Sequence, residues 1–516
     1  MKKTMIISGI VLSMAFSATA QTVSIPTRES EDSLGAMSHS YWEIWNEAEQ
    51  QRIDKDIDTY RKADGSFKTG KIKKGTKVRI VQKKSSFVFG ASAFNWGQLG
   101  SEASNKRYQE LFGGLFNRAT VPFYWKDFEI KPGNPRFATS LIDTEVFWNK
   151  VESPMRQPHW RRPSTDQIVQ WCENHDVAVH GHPLVWGSRR WHYPGWLQYV
   201  DIPEKEQRAL DSLEILTFDV GARHIPSYDR MSAKEISELL PVYLQKQEEL
   251  TLQRVRDIMD YYGNRISSWD VVNESAIDYG FGVLDKNLSM AKSCYGPMFS
   301  DYVYKSFQVA QECNAAGALL NINDFVMDDR YVNEVRDLLE RGADIDVVGG
   351  QMHLFDPQSC LDIASGKLND DRVNPEGVRA IFSKLGQFGV PTCLSEITIT
   401  SAGNGVKGEM IQAIIARNLY RLWFSLPSMT AITWWNIVDN CGAPGEPSIS
   451  GLFHRDMSPK TAYYALDQLI NNEWKTTLEL VPDSKGTVHW RGFKGSYKII
   501  WTAPNGEVKE ADYELK

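Results

Sequence analysis

The chain has no Cys-x-x-Cys pair, no basic run long enough to follow a phosphate backbone and, after residue 20, no apolar stretch long enough to cross a bilayer. Each gap removes a class of function. Cys172, Cys294, Cys313, Cys360, Cys393 and Cys441 are scattered without metal-site spacing, and a chain of this size needs no disulfide framework. They are expected to be mostly buried free thiols, with export permitting one bridge. A formal net charge of −7 leaves a polyanion without a surface to bind, so no nucleic-acid partner is expected, and no membrane partner either.

What is plentiful is tryptophan. With 516 residues, 42% hydrophobic and 11% aromatic, the chain can bury one large core or two to three ordinary ones. Its 17 Trp suit flat apolar faces with a polar edge, which sugar rings present, although Trp also fills cores. At the N-terminus, Lys2 and Lys3 precede an apolar run from Met5 to Phe16, and Ala18-Thr19-Ala20 has the small-x-small form of a signal-peptidase site. Residues 1–20 are therefore expected to be a signal peptide, and the mature chain an exported soluble protein, periplasmic or extracellular. Loss of the two lysines would take the formal charge from −7 to −9, 56 basic against 65 acidic residues.

The body alternates apolar runs with helical spacing. The runs are 87–94, 118–125, 177–186, 269–274, 319–324, 345–353, 391–397 and 431–437. Between them lie segments such as Ile236, Leu239, Leu240, Tyr243 and Leu244, opened by Ser232 and Glu235 as a capping box. Eight near-continuously apolar strands, each followed by helix, predict a parallel sheet covered on both sides and closed as a (β/α)8 TIM barrel, an α/β fold. A doubly wound open sheet is the alternative, but it would ordinarily have fewer strands and a Gly-rich first turn, which FGASAFNWG does not supply.

The expected organisation is 21–84 as an N-terminal helix and β segment, 85–472 as the catalytic barrel and 473–516 as a C-terminal β module. The two flanks are expected to join in one small β-sandwich, since the last segment is small to stand alone. Structural support and glycan binding both remain open as its role.

On such a barrel, residues at the carboxyl ends of strands are enriched for function. Asn273-Glu274, Asn323-Asp324, Gln351 with His353, Ser395-Glu396 and Trp434-Trp435 all stand at strand ends, as do His180 and His182. Two Glu at two strand ends form the minimal kit for glycosidic hydrolysis, which needs a proton donor and a carboxylate facing an oxocarbenium-like centre. The bland reading of Glu274 and Glu396 is a pair of salt-bridged structural acids. His180 and His182, two apart on one strand face, could suit a metal, but no third ligand stands nearby, and no metal or organic cofactor is expected. Asn323 and Asp324 read as hydrogen-bonding scaffold, with Asp324 uncatalytic. Trp434 and Trp435 point to opposite faces, so at most one lines a cleft, and Trp434 is assigned to packing.

The runs HGHPLVW, WDVVNE, NIND, GGQMH, LSEI and TWW, in this order, resemble glycoside hydrolase family 10, best known for endo-β-1,4-xylanases; GLFHRDMSPKTAYYAL (451–466) is similar to its closing segment. The resemblance covers roughly residues 85–470. It implies Glu274 as general acid/base and Glu396 as nucleophile of a retaining double displacement, with Asn273 on the sugar 2-hydroxyl, His353 holding the nucleophile and Gln351 the acid/base. His182 and Trp186 would wall the sugar beside the scissile bond, Trp435 would be the stacking tryptophan of the eighth strand, Lys126 would bind the sugars on the non-reducing side, and Trp196 lies in a segment the family shares. The implied partner is a xylan-type polysaccharide or oligosaccharide, taken by a monomer.

Two departures stand out. The family pattern Thr-Pro-Glu-Asn-x-x-Lys-Trp meets Thr120-Val121-Pro122-Phe123-Tyr124-Trp125-Lys126-Asp127, so Lys126 remains while the Glu and Asn positions hold Pro122 and Phe123. NIVDNCG (436–442) lacks the Gly after Trp435 and the later Ser-Trp. A site that loses hydroxyl partners changes what it accepts. The insertion 134–163, with Phe147, Trp148 and Trp160, is a candidate to rebuild that wall. Three readings follow: a retaining β-glycosidase on xylan, the same chemistry on another β-linked glycan or glycoside, and a carbohydrate-binding protein without turnover.

Overall fold

The computed structural model describes residues 23–70, 73, 75–138, 163–213, 226–281, 289–443, 446 and 449–516. The expected leader at 1–20 and Phe147, Trp148 and Trp160 lie outside the described residues. Eight parallel strands close into a barrel: Val88–Ser92, Arg118–Pro122, Ala178–His182, Ser268–Asn273, Leu319–Asp324, Val347–Leu354, Thr392–Ile399 and Met429–Trp434, called here the first to eighth barrel strands. The eighth pairs with the first, Thr433 facing Gly90, and the fourth with the fifth, so the sheet has no open edge. The chain folds as a (β/α)8 TIM barrel, and each of the eight apolar runs supplies one strand.

Helices cover the outside and side chains fill the inside, which is why the fourth strand is buried at all six positions and the seventh at all eight. Gly181 shows how tight the wall is: a Cβ there would lie 2.2 Å from the Trp269 ring on the neighbouring strand. Only glycine lets Trp269 press against the third strand between His180 and His182.

Between the third and fourth strands, helices Glu204–Ser212, Ala233–Leu239 and Pro241–Tyr262 build a small satellite core around Leu210, Tyr228, Ile236 and Tyr243. The Ser232–Glu235 capping box forms as the sequence predicts. After the fourth strand, an antiparallel hairpin, Met290–Ser293 with Gly296–Phe299, raises Tyr295 at its turn. All six cysteines are free thiols; Cys172, Cys360, Cys393 and Cys441 are buried and Cys294 is exposed.

The chain ends meet. Strand Val78–Ser85 lies between Thr477–Leu480 and Gly495–Thr502, with Val508–Leu515 at the far edge, and Lys62–Lys68 pairs with Thr487–Phe493. The two sheets share a core of Val78, Ile80, Trp490, Tyr497 and Ile499. Helix Glu47–Arg61 anchors this unit to the barrel: Ile53 and Ile57 are buried, and Asp54 and Glu49 pair with Arg421 and Arg379 of barrel helices.

Candidate active site

The fourth strand ends in Asn273, and the next residue, Glu274, takes a left-handed backbone with φ of +54°. For a residue with a side chain this costs on the order of 1 kcal/mol, and it turns the carboxyl inward over the barrel mouth. The turn is held from the neighbouring strand. Glu274 N–H donates to the Asn323 carbonyl at 2.7 Å, while Asp324 accepts from the backbone N–H groups of Ala276 and Val326, each at 2.7 Å. Asp324 is therefore a buried scaffold acid tying two loops, in line with the role read from sequence.

Glu396 comes from inside the seventh strand. The pairing of the sixth and seventh strands shifts register after Gly350, so that Gln351 faces Glu396 directly. Such irregularities re-aim side chains beside functional sites. Gln351 Nε2 then lies 3.2 Å from Glu274 Oε1 and 3.2 Å from Glu396 Oε1, and 3.4 Å from Asn273 Oδ1. Two oxygens equally near one nitrogen can be no farther apart than twice that distance. Asn323 Nδ2 donates to Asn273 Oδ1 and to Glu396 Oε1, both at 2.9 Å, and Ser395 Oγ donates to Asn323 Oδ1, which fixes the amide in that orientation.

His353 Nε2 stands 3.4 Å from Glu396 Oε2, with its Nδ1 within 3.0 Å of Thr398 Oγ1 and its ring stacked on Phe355. On the other side, His182 Nε2 is 3.6 Å from Glu396 Oε1. His182 Nδ1 and His180 Nε2 both reach Asp270 Oδ2, at 2.7 and 2.9 Å, and His180 Nδ1 meets Ser268 Oγ at 2.8 Å. The two histidines thus converge on a carboxylate rather than leaving an open coordination face. Among the described residues no group of three His, Cys, Asp or Glu is arranged to hold a metal ion.

Burial pushes both catalytic-candidate carboxyls up to about 7, and the Glu396 charge adds to the rise at Glu274. Each carboxyl has two donors: Glu396 accepts from Asn323 and Gln351, Glu274 from Gln351 and from the Tyr295 hydroxyl, 3.1 Å from its Oε2. The Glu396 charge is what separates them, since it raises Glu274. The anion is favoured on Glu396 and the proton on Glu274. Burial pushes His353 down to about 4, so it is neutral at neutral pH. Burial would raise Asp270, but the contacts of His180 and His182 outweigh it and hold that carboxyl well below the usual range.

Trp186 and Trp435 join Phe94 and Tyr124 in an aromatic cluster separate from the barrel core. The His182 ring meets Tyr124 at 5.5 Å and Trp435 at 5.2 Å, both edge-on. Trp434 is fully buried with its Nε1 on the Asn436 carbonyl, a packing residue as expected. Lys126 Nζ donates to the Arg190 carbonyl at 2.8 Å, and Trp196 Nε1 donates to the Glu129 carbonyl beside Trp125. Phe123 turns into the core against Trp269 and Tyr262.

The structure adds four residues that sequence reasoning left aside. Asp270 was readable: an acid inside a fully buried strand needs a partner, which His180 and His182 supply. Asn323 is more than scaffold, since it touches Glu396. Tyr124 and Tyr295 carried no signal, because their place depends on how a loop and a hairpin fold back over the strand ends.

Residues 142–469 match the model of Glycosyl hydrolase family 10. Endo-1,4-beta-xylanase A of Halalkalibacterium halodurans is 26% identical over 358 residues, 65% of this chain and 76% of that protein. Endo-1,4-beta-xylanase B of Thermotoga neapolitana is 22% identical over 410 residues, 77% of this chain and 92% of that protein. The crystal structure of native xylanase 10B from Thermotoga maritima superposes with a TM-score of 0.49 at 19% identity, over 75% of this chain and 96% of that one.

Proposed function

Because the chain belongs to glycosyl hydrolase family 10, we propose that it cleaves β-1,4 linkages of xylan, or of a xylan-like glycan, by a retaining double displacement. Glu396 attacks the anomeric carbon while Glu274 donates its proton to the leaving oxygen; water, deprotonated by Glu274, then releases the sugar from Glu396. The observation that carries this reading is the single Gln351 amide nitrogen 3.2 Å from an oxygen of each Glu. Retaining pairs stand about 5–5.5 Å apart and inverting pairs about 6.5–9.5 Å, and a donor shared by one oxygen of each Glu supports the closer spacing.

Supporting roles follow from the contacts. Asn273, with Oδ1 engaged by Asn323 and Gln351, turns its Nδ2 donor to the sugar 2-hydroxyl. His353 and Gln351 orient the carboxylates; His182, Trp186 and Trp435 wall the attacked sugar. Lys126, at the lysine position of the resembling family's pattern, binds a hydroxyl of the glycan. Pro122 and Phe123, where the resembling family carries hydroxyl partners, favour a second reading, the same chemistry on a different β-linked glycan. The strands around Val78–Ser85 serve as structural support, and Lys2, Lys3 and the Ala18–Ala20 stretch direct export of a monomer.

A panel of β-1,4-xylan, mixed-linkage glucan and aryl β-glycosides, run with wild type and Glu396→Ala, tests this. Release from xylan with the anomeric configuration retained, lost in the variant by at least about 10⁴-fold, is the expected result. Product first formed with inverted configuration refutes double displacement. Glycan binding without any release leaves a binding protein.

A further inference from the structure

We infer that the cleft is a dead-end pocket for one terminal sugar, so that the enzyme removes single units from the non-reducing end of a chain. The inference rests on the glycosidase reading above and adds the mode of attack. The attacked sugar must lie against Glu396, and the departing oxygen must meet Glu274. What surrounds Glu396 therefore decides how much glycan fits on the attacked side.

That side is closed by rings. His182, 3.6 Å from Glu396, carries Tyr124 and Trp435 against its own ring. Phe94 meets Trp435 edge-on at 4.8 Å and Tyr124 at 5.8 Å, and Tyr124 meets Trp186 at 6.1 Å. All four aromatics are only 5–7% exposed, so they pack on one another instead of lining open surface. A second sugar on this side would bring several hydroxyls against ring carbons, and stripping water from unpaired hydroxyls costs about 1–3 kcal/mol each. One sugar is a different matter. His182 Nε2, 3.6 Å from Glu396, and Trp186 Nε1 in the same aromatic cluster are buried without a hydrogen-bond partner, and the hydroxyls of a single bound sugar would satisfy them.

The leaving side is less closed among the described residues: Glu274 and Tyr295 are half-buried there. An enzyme that cuts inside a polymer needs passage on both sides of its carboxylates; among the described residues, the aromatic cluster closes one of them. The departures from the family pattern at Pro122 and Phe123 go with this wall: Phe123 turns into the core, and the next residue, Tyr124, joins the aromatic cluster.

The full-length protein is incubated with β-1,4-xylohexaose labelled at its reducing end. The expected result is xylose as the sole unlabelled product from the first time point, with the labelled chain shortening one sugar at a time. Unlabelled xylobiose or longer fragments at that first point would overturn the inference and leave the glycosidase reading standing. Cello-oligosaccharides trimmed one unit at a time, with xylo-oligosaccharides untouched, would uphold the pocket and retire xylan. No turnover of any glycan or aryl glycoside sinks both. Tyr124→Ala is expected to add xylobiose to the products; if that variant fails to fold, the wild-type product series still decides.

Discussion

Gln351 sits opposite Glu396 across two parallel strands at the point where their register slips, and from there its side-chain nitrogen reaches Glu274 as well. A single backbone irregularity thereby sets the spacing of the acid pair. Neither carboxylate depends on a flexible loop for its position relative to the other, because Asn323 from a third strand binds both Glu396 and Asn273. The site is a set of strand ends locked to one another by amides, which suits chemistry that needs two oxygens held at a fixed gap.

Tyr295 donates to Glu274 and so favours its anion. Tyr295→Phe removes that donor while keeping the ring beside Trp186. The carboxyl of Glu274 then holds its proton to higher pH, and the alkaline limb of the kcat/KM profile moves upward. A neutral hydrogen bond is worth about 0.5–1.5 kcal/mol, so kcat at neutral pH falls by no more than about tenfold. An alkaline limb that stays in place or moves down counts against Glu274 as the acid.

Glu396→Gln tests the cost of the buried charge. In the native state this carboxyl is raised from 4.5 to about 7, so between those values the folded protein binds more protons than the unfolded chain. Stability is full below about 4.5, falls as pH rises through that window, and is level above it. The variant has no such group to ionise. Thermal melts should find it more stable than wild type above neutrality, by on the order of 1–3 kcal/mol, with the gap closing near pH 4.5. A gap independent of pH would show that Glu396 is not held at a raised value.

Gly181→Ala puts a methyl group against Trp269, where a Cβ would come within 2.2 Å of the ring. Trp269 is 1% exposed and cannot step aside, so overpacking of about 1–3 kcal/mol is expected. His180 and His182 flank the position, and kcat should fall with the melting temperature. Adding Trp269→Phe opens the space. Recovery of the melting temperature in the double variant, measured calorimetrically, checks that the clash is the cause; equal loss in both points elsewhere.

The barrel was legible because its eight strands are buried on both faces, which leaves continuous apolar runs that helices cannot mimic at that length. Glu274 and Glu396 were legible for a related reason: an acid at the end of such a run has to be explained. The expected capping box of Ser232 and Glu235 opens helix Ala233–Leu239, as its spacing predicts. Asn323 was underread, since a strand-end amide looks the same whether it props a turn or donates to a buried carboxylate. Tyr124 and Phe94 were not readable as a wall, because their closure over His182 depends on contacts between strand ends far apart in the chain, and no periodicity records it.

The pairing of the chain's two flanks has a consequence for synthesis. Strand Val78–Ser85 finds its neighbours only in the last segment: Lys77 and Glu479, which join across that sheet, are separated by 402 residues. A ribosome delivers the strand early and its partners last. Until those partners arrive its two edges stand unpaired, open to templating by another chain. All eight barrel strands lie before residue 435, so their own pairing can be complete while this stitch is still undone.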